Sequence, residues 1–328
     1  MTLSDRFIPP AYLRHPFVQT VLCSSRLRAV GPNPMTACAR ETLLETEDGA
    51  RLQGYWSHQT TRPPRGQVVL LHGWEGSAES TYMLSTGRFL FERGFDIFRL
   101  NYRDHGKTHH LNTGLFLGTL IDEVFAAVKT AADQSKGLPV FLAGFSIGGS
   151  FAIRVACRCK ETPIKTLKRV VAVNPPLDPL KGTLRIDGLR LIKRYFINKW
   201  KRSLRIKQQL YPDLYDLEDV LDMRTCMEMT EALIRRYTDY KDAADYFSRY
   251  NLTRGYLEQT PLPVAVITAA DDPVVPVEDF YTTPVNQNVD LIIHPQGGHC
   301  GFIDGLRMES WVEKWMAADF ERLSETGL

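Results

Sequence analysis

Three residues, Ser146, Asp272 and His299, have the side-chain types needed for acyl transfer through serine, and they occur in the order Ser, Asp, His. A serine hydroxyl is a weak nucleophile near neutral pH, so it needs a histidine to take its proton and a carboxylate to orient that histidine. Ser146 stands in Gly144-Phe145-Ser146-Ile147-Gly148. In such a G-x-S-x-G elbow the turn is so tight that the residues two before and two after the serine must be tiny. His299 lies in Gly297-Gly298-His299-Cys300-Gly301, whose glycines let a loop bend toward the serine. Ala269-Ala270-Asp271-Asp272-Pro273 offers two adjacent carboxylates. Asp272 is favoured as the orienting acid because the fixed φ of Pro273 stiffens the chain directly after it; Asp271 then serves as a turn cap or surface charge, and it stays the alternative. An oxyanion needs two backbone donors, and the N–H groups of Trp74, after His72-Gly73, and of Ile147, after the serine, are placed to supply them.

These residues need a rigid frame. Residues 139–143 are an apolar run that reads as the strand entering the elbow, and residues 147–158 read as a helix whose positive N-terminal end points at the serine. Residues 67–72, 95–101, 263–268 and 289–293 read as further strands. Residues 119–132 read as a helix, and Trp311, Trp315, Phe320 and Leu323 recur at helical spacing as the core face of a last helix. Residues 41–46 and 51–57, on either side of Asp48-Gly49, read as an antiparallel hairpin leading into the sheet. Strands alternating with amphipathic segments predict an α/β fold with a mainly parallel, doubly wound sheet. The alternation stops at about residues 178–256, which are expected to form a helical cap over the serine, inserted into one domain whose core is about 1–177 and 257–328.

With those residues in hand, the chain resembles the α/β-hydrolase superfamily and, within it, the YheT-like branch of the EMB8-type and ABHD1/ABHD3-type proteins. The residues that carry the resemblance are Phe7-Ile8-Pro9-Pro10 with His15-Pro16 and Gln19-Thr20, His72-Gly73 with Ser80-Thr81-Tyr82, and Asn101-Tyr102-Arg103. The elbow, Asp245-Tyr246-Phe247-Ser248, Asp271-Asp272-Pro273 and Gly297-Gly298-His299-Cys300-Gly301-Phe302 complete it. The resemblance implies an α/β-hydrolase fold and an esterase of the phospholipase kind. It leaves the middle insertion, and with it the acyl pocket, unassigned.

Composition sets the outer bounds. With 328 residues, 44 % of them hydrophobic and 24 % charged, the chain suits one enzyme-sized domain with a large core. A net charge of +2 and the lack of a nucleic-acid motif speak against a nucleic-acid partner. The six cysteines show neither a disulfide framework nor a Cys-x-x-Cys pair, which suits a reducing cytoplasm. Neither a signal peptide nor a membrane span is visible. His105, His109 and His110 cluster without spaced carboxylate or thiolate partners, so no metal is expected there, and the chemistry needs no cofactor. From Lys181 to Lys207 there are ten Lys or Arg against the single Asp187, with Leu189, Ile192, Phe196 and Trp200 interspersed. The plainer reading of that stretch is a solvated helix face; the functional one is peripheral contact with an anionic lipid surface at the inner side of a membrane. The expected activity is cleavage of a small-molecule or lipid carboxylic ester through an acyl-enzyme. An acyltransferase using the same triad and a non-catalytic ligand-binding protein on this fold are the alternatives.

Overall fold

The chain enters its sheet through a hairpin. In the computed structural model, which describes residues 6–325, β1 (Arg40–Glu45) pairs antiparallel with β2 (Arg51–Ser57). Their turn holds Gly49 at φ 80°, a left-handed conformation that a residue without Cβ adopts freely. Six more strands follow: β3 (Gly66–Leu71), β4 (Phe95–Leu100), β5 (Val140–Phe145), β6 (Leu167–Val173), β7 (Val264–Ala269) and β8 (Val289–His294). They line up as β1-β2-β4-β3-β5-β6-β7-β8. β2 joins β4 antiparallel, and every pairing from β4 to β8 is parallel.

The helices that matter to the site are α1 (Pro16–Cys23), α2 (Thr81–Phe91), α3 (Ile121–Asp133) and α4 (Ile147–Arg158). Between β6 and β7 come α5 (Pro179–Gly188), α6 (Arg190–Leu210), α7 (Cys226–Tyr237) and α8 (Ala243–Ser248), and α9 (Trp311–Glu325) closes the described chain. Strand period decides which helix covers which face. Val69 and Leu71 of β3 join one apolar cluster with Val124 and Val128 of α3 and Phe151 of α4. Their neighbours Val68 and Leu70 join the other cluster with Met83 and Leu90 of α2 and Met316 and Phe320 of α9. Successive side chains on a strand point to opposite faces, so a strand apolar at every position must be covered on both. No helix among the described residues is long and apolar enough to cross a membrane.

This topology also selects a place for chemistry. From β3 the chain steps outward to β4, then returns to the other side of β3 as β5 and continues away from it. In an open α/β sheet, ligands bind beyond the carboxyl ends of the strands where the order reverses. The loops at that point are the ones after β3 and β5, which carry Trp74 and Ser146.

Candidate active site

Ser146 links β5 to α4 with φ 54° and ψ −123°, a conformation that a residue with a Cβ rarely adopts. The crossing leaves no room on either side. A Cβ on Gly144 would lie 2.1 Å from the Gly148 carbonyl oxygen, and one on Gly148 would lie 2.4 Å from that of Leu71. The serine is also fixed by its backbone: its N–H donates to the Val173 carbonyl at 2.8 Å, and its own carbonyl accepts from the N–H groups of Gly149 and Ser150 in the first turn of α4.

The acid and the histidine come together in the loops after β7 and β8. His299 Nδ1 lies 2.8 Å from Asp272 Oδ2, in position to donate to it. Asp272 is buried, and each oxygen has further donors: Oδ1 accepts from the N–H groups of Val274 at 2.7 Å and Val275 at 3.0 Å, and Oδ2 accepts from Asn174 Nδ2 at 2.6 Å. Asp271 has a different job. Its Oδ1 accepts from the Gly298 N–H at 2.9 Å, and burial holds its carboxyl above the usual range. The two neighbouring carboxylates thus divide between the imidazole and the loop that carries it.

Asn174, just beyond β6, had no assigned role in the sequence. It sits at φ 45°, a conformation asparagine tolerates better than most residues. Its Nδ2 also donates to the Gly298 carbonyl at 3.2 Å, and its Oδ1 accepts from the Cys300 N–H at 3.3 Å. The Cys300 thiol donates to the Val173 carbonyl at 3.7 Å, the same carbonyl that receives the Ser146 N–H. The elbow and the His299 loop therefore meet at the end of β6. Burial pushes the Cys300 thiol well above its ordinary value, which leaves it inert as a nucleophile.

The loop after β3 is held from both sides. The fully buried His72 donates from Nδ1 to the Gly73 carbonyl at 2.8 Å and accepts the Tyr102 N–H at Nε2, and burial keeps it neutral. The Gly73 N–H donates to the Tyr82 hydroxyl at 2.8 Å. A Cβ on Gly73 would stand 3.3 Å from the Ser146 Cβ, so this loop runs directly against the serine. Among the described residues, no acceptor takes the N–H of Trp74 or that of Ile147. Ile147 opens α4, where the first N–H groups lack intrahelical partners. Both donors are thus available to a ligand. His294, at the end of β8, turns elsewhere: its Nδ1 accepts the Phe7 N–H at 3.1 Å.

Ser146, Trp74 and Ile147 open on a pocket of about 1230 Å³, counting the part exposed to solvent. Leu115, Phe116, Phe196, Trp200, Leu204 and Ile234 are among its apolar lining. The Trp74 indole stacks on Phe196 at 5.2 Å and meets Trp200 edge-on at 5.0 Å. One wall is polar. Lys207 Nζ donates to Asp104 Oδ1 at 2.7 Å and to the Asn112 carbonyl at 2.6 Å, while Lys199 Nζ donates to the Glu75 carbonyl at 2.8 Å. Glu75 sits at φ 55°, and its N–H donates to His105 Nε2 at 3.1 Å. Burial raises the Glu75 carboxyl from 4.5 to about 8, and it lowers His105 from 6.5 to about 4. The basic stretch is therefore split: Lys199 and Lys207 turn inward, while Arg190, Arg194, Arg202 and Arg205 are exposed. His109 of the histidine cluster shares a 2.7 Å hydrogen bond with Ser203 of α6.

Comparison with known proteins bears on the family and the fold. The model of the Hydrolase_4 family (Serine aminopeptidase, S33) matches residues 62–305. Phospholipase ABHD3 of Mus musculus is 22% identical over 282 residues, covering 81% of this chain and 67% of that protein. A putative esterase of Synechocystis sp. is 24% identical over 329 residues, covering 91% and 87%. Among solved structures, an esterase of Pyrobaculum calidifontis shares the fold with a TM-score of 0.58 and 18% identity, over 94% of this chain and 92% of that one. The Pyrococcus furiosus esterase Pf2001 does so with a TM-score of 0.55 and 22% identity, over 87% and 90%. The chain belongs to the Hydrolase_4 family and, through it, to the α/β-hydrolase superfamily, in the branch of the ABHD3-type proteins.

Proposed function

We propose that the protein is a serine esterase that cleaves carboxylic esters with an apolar acyl chain through a covalent acyl-enzyme. Ser146 Oγ attacks the ester carbonyl, and His299 takes its proton and passes it to the leaving alcohol. Asp272 fixes the imidazole and stabilises its positive charge while the proton is held. The N–H groups of Trp74 and Ile147 receive the oxyanion. Water, activated by the same histidine, then releases the acid. The segment at about 178–256 acts as the cap, and its apolar side chains hold the acyl chain.

The observation that carries this reading is the 2.8 Å bond between His299 and the buried, multiply hydrogen-bonded Asp272, on the same sheet edge as the strained Ser146. The apolar pocket supports a long acyl group over a polar one. The chain's relatives include a phospholipase and a putative esterase, which point the same way. The exposed arginines of α6 offer a lipid-borne ester a face that attracts anionic head groups.

The test is a set of initial rates on p-nitrophenyl esters from short to long acyl chains, run beside Ser146→Ala. The expected result is turnover that depends on Ser146, falls by more than about 10³-fold in the variant, and peaks at a medium or long chain. An undiminished rate in folded Ser146→Ala overturns the proposal.

A further inference from the structure

α1 is built inside out. Gln19 is 0% exposed and Thr20 is half-buried beside it, while Val21 is 68% exposed and Phe17 and Val18 also face outward. Cys23 at its end is the one apolar side chain of this helix buried in a core cluster, so along the face of Gln19 and Thr20 hydrogen bonds rather than apolar contacts hold it. Those bonds lead to the loop of His299.

Gln19 is anchored at three points. Its Nε2 donates to the carbonyls of Leu13 at 2.9 Å and Ile303 at 3.0 Å, and its Oε1 accepts the Ile303 N–H at 2.7 Å. Thr20 Oγ1 donates to the Pro16 carbonyl at 2.8 Å, which aims its lone pairs outward, and there it accepts the N–H of His299 at 2.9 Å. Helix and loop touch backbone to backbone. A Cβ on Gly298 would lie 2.4 Å from the Pro16 carbonyl oxygen, and one on Gly301 would lie 2.5 Å from that of Gln19.

We propose that Thr20 is a positioning residue for the histidine base, with Gln19 as its anchor, so that the N-terminal helix is a working part of the active site. This inference rests on the reading of His299 as the base. Asp272 fixes the ring at Nδ1; Thr20 fixes the main chain from which that ring projects. Asp271 and Asn174 take the polar groups of Gly298 and the N–H of Cys300, which leaves the N–H of His299 itself to Thr20. Without that acceptor the loop tilts and carries the imidazole away from the place it needs as the base for Ser146, while the pocket keeps its shape.

The test compares Thr20→Val, which keeps the shape of threonine without its hydroxyl, with Thr20→Ser, which restores the acceptor, on the best ester substrate. The expected result for Thr20→Val is a fall in kcat of about 10- to 100-fold with KM within about twofold. Labelling of Ser146 by a fluorophosphonate should slow by the same factor, and Thr20→Ser should recover most of the rate. Where Thr20→Val fails to fold by circular dichroism, Thr20→Ala against Thr20→Ser gives the same contrast. Wild-type kcat in folded Thr20→Val, or equal rates in the alanine and serine variants, overturns the inference while leaving the esterase reading intact. Turnover that persists undiminished in folded Ser146→Ala and His299→Ala overturns that reading and this inference together.

Discussion

At the residue scale, the orientation of His299 depends on donors that converge on Asp272. Asn174 supplies the shortest of them, 2.6 Å to the oxygen that also meets the imidazole. Asn174→Ala should therefore lower kcat by about tenfold, roughly the worth of one charge-assisted hydrogen bond. KM on the same substrate should hardly change, and a variant with the parental kcat would remove Asn174 from the account. A short motif and its chain order single out Ser146, His299 and the Asp271-Asp272 pair as candidates, and the structure brings Asp272 to His299 and sets Ser146 in a strained turn. The fixed φ of Pro273 also favours Asp272, the acid that meets the imidazole. Asn174 was not legible, since an asparagine after an apolar run is ordinary until its φ of 45° and its bonds to Asp272, Gly298 and Cys300 are known. Thr20 was beyond reach for a different reason: its partner lies 279 residues away.

At the element scale, the strands could be read from their apolar runs, and α4 begins and ends at the residues its sequence pattern predicts. The helices between β6 and β7 could not be resolved one by one. Their apolar faces meet each other, as in the cluster of Ile234, Ala243, Tyr246, Phe247 and Tyr250, so no sheet imposes a register on them. The basic stretch shows the same difficulty. Its charges read as a solvated face, yet Lys207 is fully buried against Asp104. That pair ties α6 to the loop after β4. Lys207→Met should cost about 3 to 5 kcal/mol in urea unfolding, because it strands a buried carboxylate. Adding Asp104→Asn should recover a large part of that loss, and equal stability of the single and double variants would show that the pair does not hold the helix.

At the scale of the whole molecule, one sheet places the Trp74 loop, the elbow, the Asp272 loop and the His299 loop at its carboxyl edge, and the helical insertion covers an apolar pocket whose polar wall includes the buried carboxyl of Glu75. That carboxyl gives stability a pH signature. In the unfolded chain Glu75 loses its proton near 4.5, whereas in the fold it keeps it to about 8. Between those values the native state holds the extra proton, so Glu75 makes stability fall as pH rises through this window. Thermal midpoints of Glu75→Gln should decline less than those of the parent between about pH 5 and 8, and parallel curves would mean that the carboxyl is solvated in the fold. The alternation of strands and helices made the sheet and its carboxyl edge legible from sequence; the pocket was not, because its walls come from segments as distant as Glu75, Phe116 and Lys207. The most direct test of the central claim is to trap the nucleophile: treat the protein with a fluorophosphonate and map the adduct by mass spectrometry. The account predicts a single adduct on the peptide containing Ser146, abolished by Ser146→Ala and strongly slowed by His299→Ala, whereas an adduct on another residue, or labelling that ignores His299, would contradict it.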